Sequence, residues 1–296
     1  MKQNKILLIN DVCGYGKVAT AAMLPILSYM GNSVYNLPTA LVSNTLDYGT
    51  FSILETTDYI KGVFPVWREL GFSFDAIATG FIASENQAKI VAQYCREEAA
   101  HGTHILVDPI MGDEGKLYNG VTPATINSMR EMLSVAHLCF PNYTEACYLT
   151  DTPYNNKGIA RAEVKELVDK LRGIGSRSVL ITSLVIVEDE EKEQSTNTQH
   201  LTPNTQHPSP NTHHAVAGYN HLTDEYFFLP YEEIPVHFPG TGDIFSAIVD
   251  GHLLRGDNLQ QSARIAMDTL SKWIEANKEN HDKNRGIPLE RHLEDL

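Results

Sequence analysis

The sequence is poor in the features that mark several common protein classes. Its four cysteines, Cys13, Cys95, Cys139 and Cys147, form no CxxC pair and no zinc-like spacing. They read as free thiols in a reducing compartment. No GxGxxG follows the first apolar run, which excludes a NAD-binding Rossmann enzyme. No GxxxxGK[ST] is present either, so Lys17 is not a P-loop lysine. Basic residues are scarce: 23 Lys and Arg stand against 37 Asp and Glu, a formal charge of −14. A general nucleic-acid binder needs a basic face to displace counterions, so no nucleic-acid partner is expected. Long apolar runs are absent as well. Ile6 to Ile9, after Lys2 and Lys5, is too short for a signal peptide or a membrane span. The chain is expected to be cytoplasmic and to have no membrane partner.

What is present is repeated alternation of strand and helix. Ile6 to Ile9 reads as a buried parallel strand, apolar throughout. A Gly-bearing loop, Asn10 to Lys17, follows, then a helix from Val18 to Met30 closed by Gly31. Ser33 to Leu37 is the next strand, and Pro38 to Gly49 reads as a long functional loop. Helix Thr57 to Leu70, strand Asp75 to Thr79, a helix opened by Ser84 and Gln87, and strand His104 to Val107 continue the pattern. Further strands are expected at His137 to Phe140, Ser178 to Ile181 and Ala215 to Tyr219, with β-structure also at Glu225 to Leu229 and Ile234 to Phe238. This alternation predicts an α/β fold, a mostly parallel doubly wound sheet with helices on both faces. All of it is taken as one domain, residues 1–296. Residues 188–214 are polar, low in complexity and rich in Thr, Asn, Gln, Pro and His, and are read as a flexible insertion. Its four histidines lack closed-site spacing, so a solvated hairpin tip is preferred to a metal tract. The tail, 277–296, is charged.

In such sheets ligands bind beyond the carboxyl ends of the strands. Asn10, Asp11, Gly80, Phe81 and Asp108 each follow a predicted strand. So does Phe238-Pro239-Gly240-Thr241-Gly242-Asp243, before the apolar helix Ile244 to Leu253. Glycines there let a phosphate approach the main chain, and the helix aims free N–H groups at it. Asp243 is placed to take a proton from an attacking hydroxyl, which suggests phosphoryl transfer to an alcohol. An ordinary helix cap explains the same residues taken alone.

Four segments in order carry a family resemblance. Gly240-Thr241-Gly242-Asp243 looks like a GTGD anion-hole and base motif, and Asn142-Tyr143-Thr144-Glu145 like an N-x-x-E motif. Asp108-Pro109 with Gly112-Asp113 resembles a DPxxGD segment, and Thr182-Ser183 a nucleotide-contacting pair. The chain thereby resembles the ribokinase-like superfamily and, within it, the pyridoxal/pyridoxamine kinases. Ile9-Asn10-Asp11, Leu37-Pro38-Thr39-Ala40 and Thr79-Gly80-Phe81 are most similar to the bacterial pyridoxamine kinase pattern. Many of these kinases have Ser at the position of Asp11, Tyr at that of Phe81, and SNHT where this chain has Ser43-Asn44-Thr45-Leu46.

The resemblance implies a three-layer α/β/α kinase, working as a homodimer. Its implied reaction is ATP-dependent phosphorylation of the 5′-hydroxymethyl group of a B6 vitamer. Asp243 would be the base, and Gly240, Thr241 and Gly242 the anion hole. Asn10, Asp11, Ser43, Thr45 and Phe81 would meet the vitamer. Asp108, Tyr118, Asn142, Thr182 and Ser183 would meet ATP, and Glu145 with Asp108 would hold Mg²⁺. The resemblance leaves open a monovalent cation, K⁺. A hydroxymethylpyrimidine kinase of the same fold and a non-catalytic B6-binding protein are the rival readings.

Overall fold

The computed structural model describes residues 3–119, 121–188 and 212–296, so most of the expected insertion (189–211) lies outside the described residues. The strands are β1 (Lys5–Tyr15), β2 (Ser33–Asn44), β3 (Ile53–Glu55), β4 (Ala76–Thr79), β5 (His104–Val107), β6 (Gly112–Asp113), β7 (Lys116–Leu117), β8 (Leu138–Cys139), β9 (Ile159–Ala160), β10 (Ser178–Val187), β11 (Thr212–Asn220) and β12 (Glu225–Tyr231). The helices are α1 (Thr20–Tyr29), α2 (Thr57–Leu70), α3 (Glu85–Ala100), α4 (Pro123–Leu133), α5 (Tyr143–Leu149), α6 (Arg161–Ile174), α7 (Thr241–Arg255) and α8 (Leu259–Asn277).

The main sheet runs β12-β11-β10-β8-β5-β4-β1-β2-β3, with β9 beside β10, while β6 and β7 form a separate hairpin. From β10 to β2 the pairings are parallel; β3, β11 and β12 run antiparallel to their neighbours. Central strands are covered on both faces, which is why Ile6, Leu7, Leu8 and Ile9 are all fully buried. Alternation along the strands divides the core in two. Leu7, Ile9, Ile77, Ile105 and Val107 pack under α2 to α6. Ile6, Leu8, Ala76, Ala78 and Leu106 pack under α1, α7 and α8. The three-layer α/β/α arrangement follows.

Several sequence expectations need correction. Asn10 to Tyr15 is not a loop: β1 continues to Tyr15, with a register break between Asn10 and Val12. Likewise β2 continues through Pro38 to Asn44, which shortens the expected long loop to a turn around Leu46–Tyr48. Each strand alone looks polar here, but the two pair with each other and satisfy their backbones. Thr182 and Ser183 do not follow a strand but interrupt β10, at an irregularity where Ser183 has φ 58°. Residues 234–238 form no strand, and 212–214, assigned to the insertion, begin β11.

The charged tail is packed. Ile287 and Leu289 are buried in the core under α1 and α7. Trp273, itself fully buried, donates its indole N–H to Asp295 Oδ2 at 2.9 Å. Truncating Ile287 to Ala should therefore cost about 2–5 kcal/mol in urea unfolding, as buried Ile→Ala changes do. A loss below about 1 kcal/mol would mean that the tail detaches before the global transition.

Candidate active site

A cavity of about 830 Å³ lies at the carboxyl ends of the parallel strands. Its lining includes Asp11, Thr45 and Phe81 at one end, then Asp108, Glu145 and Asp243, then Thr182 and Ser183. Residues more than 230 positions apart meet there: Asp11, Thr45, Phe81, Asp108, Thr182 and Ser183 sit where strands stop or break, and Glu145 and Asp243 in the first turns of α5 and α7.

Asp243 lies in the first turn of α7. Its Oδ2 accepts the Ala19 amide at 2.8 Å, whereas its Oδ1 is buried and, among the described residues, has no partner that meets hydrogen-bond geometry. Burial pushes its carboxyl up to about 6, against the Ala19 hydrogen bond and the nearby Asn10 side chain, which pull it down. The helix begins at Gly240, whose φ of 85° suits glycine, and a methyl group there would stand 2.4 Å from the Lys17 carbonyl. Ile244 makes the first intrahelical bond, to Gly240 O at 3.0 Å. The N–H groups of Thr241, Gly242 and Asp243 thus have no intrahelical acceptor, which makes the turn an anion-binding end.

Asn10 does not line the cavity. Its Oδ1 accepts the amides of Asp11 (2.9 Å) and Phe81 (2.8 Å), so it braces the two residues that do. Asp11 sits at the break in the β1–β2 ladder, 8% exposed and facing the cavity. Among the described residues no ion pair forms to it. Burial and then the charge of Asp243 push it up to about 7. Ser43 also lies off the cavity, bonded to Asn44 and to the Ser52 amide.

Glu145 is fixed by its neighbours. With Asn142 it forms a capping box on α5, and its carboxylate accepts the amides of Asn142 (2.9 Å), Met111 (3.0 Å) and Gly112 (3.5 Å). Burial still pushes it up to about 8. Asn142 also donates to Gly112 O at 2.8 Å, so these two side chains shape the β6–β7 hairpin that leads to Tyr118. Asp108 follows β5, and a methyl group on Gly242 would lie 4.0 Å from its Oδ2. Burial, with the charges of Glu145, Asp243 and Asp250, drives Asp108 well above the carboxylate range.

Asp11, Asp108, Glu145 and Asp243 are thus four of nine carboxylates in a cavity lining that, among the described residues, holds no Lys or Arg. Among the described residues no group of three or more His, Cys, Asp or Glu forms a ready metal cage. That donor chemistry fits a hydrated cation brought in with a polyphosphate better than a protein-caged one, because Mg²⁺ keeps most of its waters. Asp108 is the freer ligand; Glu145 already serves three amides.

Sequence reasoning missed Ala19, whose φ of 50° no residue pattern announces. It also missed His237, whose Nε2 lies 3.4 Å from Asp47 Oδ1, and whose pKa that contact raises. Proximity to the GTGD segment was the one available signal for His237.

The sequence matches the family model described as phosphomethylpyrimidine kinase over residues 39–287. A candidate phosphomethylpyrimidine kinase of Bacteroides thetaiotaomicron, crystallised with pyridoxal, is 33% identical with a TM-score of 0.86, over 99% of this chain and 96% of that one. Pyridoxal kinase of Deinococcus radiodurans is 27% identical over 90% of this chain and 84% of its own. Pyridoxal kinase of Arabidopsis thaliana is 25% identical over 98% of this chain and 87% of its own.

The clustered carboxylates make stability depend on pH. In the unfolded chain they titrate near pH 4; folded, Asp243, Asp11 and Glu145 titrate at about 6, 7 and 8. Between those limits the folded state holds more protons, so their contribution is fully present below about pH 4 and is lost as pH rises toward 8. The ligand-free protein should show a Tm that falls from pH 5.5 to 8.5. Asp243→Asn should flatten that fall, since it also removes the charge acting on Asp11. Equal slopes for the two proteins would contradict the assignment.

Proposed function

The chain belongs to the phosphomethylpyrimidine kinase family, and from that premise we propose that it transfers the γ-phosphoryl group of ATP to the 5′-hydroxymethyl group of a B6 vitamer. Pyridoxal, pyridoxamine and pyridoxine are the substrates meant, and the 5′-phosphate is the product. The observation that carries this reading is Asp243. One of its oxygens is held by the Ala19 amide and the other is buried and free, beside the open N–H groups of α7 and in one cavity with Asp11.

An alcohol is a weak nucleophile until a base takes its proton. Asp243 Oδ1 accepts no hydrogen bond among the described residues, and a carboxyl raised to about 6 is a better base than an ordinary one while still ionised at neutral pH. As the alcohol oxygen bonds to the γ-phosphorus, its proton passes to Asp243. The bond from that phosphorus to the β,γ-bridging oxygen breaks, and ADP leaves. The free amides at the start of α7 are placed to stabilise charge on the transferring group. Asp108, and Glu145 through water, would hold Mg²⁺, which supplies charge neutralisation on the phosphates. Thr182, Ser183, Asn142 and Tyr118 would flank ATP; Thr45, Phe81 and Asp11 would meet the vitamer. The same reading leaves a monovalent cation, K⁺, open. It includes a homodimer, and a cytoplasmic location that four free buried cysteines fit. Among the described residues no helix is long and apolar enough to cross a membrane.

Hydroxymethylpyrimidine phosphorylation is the second reading, favoured by the description of the matching family. Turnover of the three vitamers and of hydroxymethylpyrimidine with ATP separates the two. A B6 vitamer should be the preferred substrate, and Asp243→Asn should lower kcat by about a hundredfold or more. Exclusive turnover of hydroxymethylpyrimidine would replace the substrate while keeping the base. Asp11 gives a second test. Its carboxylate forms as pH passes about 7, so the KM of a vitamer that donates to it should fall from pH 6 to 8. Asp11→Asn should flatten that profile and leave the KM for ATP unchanged; a wild-type profile that persists in the variant would remove Asp11 from the vitamer site.

A further inference from the structure

Residues after α8 return to the end of the cavity where Asp11 and Thr45 lie. Tyr48 donates its hydroxyl to Asp282, at 2.9 and 2.7 Å from the two carboxylate oxygens. Thr45 Oγ1 donates to the Asn284 carbonyl at 2.6 Å, and the Lys17 amide to the Arg285 carbonyl at 2.8 Å. At Gly286, φ is 81°, and a methyl group would stand 3.0 Å from the Lys17 carbonyl and 3.1 Å from that of Pro239. Only glycine passes there without strain or displacement. Immediately beyond, Ile287 and Leu289 are buried in the core.

Residues 282–286 thus touch, in order, the 45–48 turn, the turn before α1 and the loop before α7. None of the five lines the cavity, but each segment they hold does so: Thr45, Leu46 and Asp47; Val18 and Ala19; Pro239 and Gly240. The same three segments contain the anchor of Asp243 and the start of the anion-binding turn. His237, two residues before Pro239, reaches Asp47 and ties the first segment to the third. Tyr48 packs its ring 5.9 Å from that of Tyr15, and burial, then the bond to Asp282, push its phenol up to about 12, so it stays a donor.

We propose that the C-terminal segment 282–286 is a positioning element for the phosphoryl acceptor, with Tyr48 and Asp282 as its working pair. It sets the 45–48 turn against the turn that carries Ala19, and so keeps the part of the cavity that binds the alcohol in shape. The proposal rests on the reading above, in which this end of the cavity takes the alcohol. The buried stretch from Ile287 anchors the segment, and the free energy of core burial is what holds it over the site.

The test is steady-state kinetics of Tyr48→Phe, Asp282→Asn and the double variant, with the vitamer and ATP varied separately. Neither substitution alters a cavity-lining side chain. Each single variant should raise the KM for the vitamer by about three- to tenfold, the range of one typical net hydrogen bond. The kcat and the KM for ATP should stay within about twofold. The double variant should be no worse than the singles, because the two changes remove one interaction. An unchanged vitamer KM overturns the proposal. So does a lower kcat at unchanged KM, which would mean that the pair acts only in the transition state and not on binding of the acceptor. Absence of turnover by the wild type with every vitamer and with hydroxymethylpyrimidine removes the reading of the site, and the proposal with it.

Discussion

The Ala19 amide and Asp243 Oδ2 are 224 residues apart in sequence and 2.8 Å apart in space. That bond joins the turn after β1 to the first turn of α7, and much of the site is arranged around it. It requires Ala19 to hold φ at 50°, a conformation costing on the order of 1 kcal/mol or more for a residue with a side chain. It brings the Lys17 carbonyl so close to Gly240 that no other residue fits there. It also occupies one oxygen of the carboxylate, which leaves Oδ1 as the single free acceptor and sets the direction from which a proton arrives. Core packing of α1 against α7 on one face of the sheet keeps both ends in place.

Electrostatics in the cavity oppose that order. Asp11, Asp108, Glu145 and Asp243 repel one another or are desolvated, and each is displaced toward its neutral form. Such an arrangement is stable only because the two cores on either side of the sheet are extensive. It favours ligands that bring positive charge or hydrogen-bond donors, and it makes the empty site the least comfortable state of the molecule. Asp250, buried on α7 with both oxygens unpartnered, adds to the same imbalance from below.

The layered architecture and the convergence of Asp11, Phe81, Asp108, Glu145 and Asp243 were legible because strand-and-helix periodicity places strand ends on one rim. The irregularities were not. Polar, Gly-bearing stretches such as Asn10 to Tyr15 read as loops, yet β1 and β2 extend side by side through them. Thr182 and Ser183 read as a strand end, but β10 resumes after them. Asn10 and Ser43 were expected to touch substrate; Asn10 instead braces the residues beside it, and Ser43 bonds within its own turn. The tail reads only as charged because its few apolar residues show no period, although Ile287 and Leu289 are enough to seat it. Ser43 apart, the deciding partner is remote in sequence.

The span from Asn10 to Gly286 also has a bearing on how the molecule comes into being. β1 occupies the middle of the sheet, yet its neighbours β4 and β2 come later in the chain, and the segment against the 45–48 turn follows every described strand. A growing chain can therefore build its sheet before it owns a complete site. Residues 282–286 enter only after β12, so the wall they hold is the part of the cavity that synthesis reaches after the strands are in place.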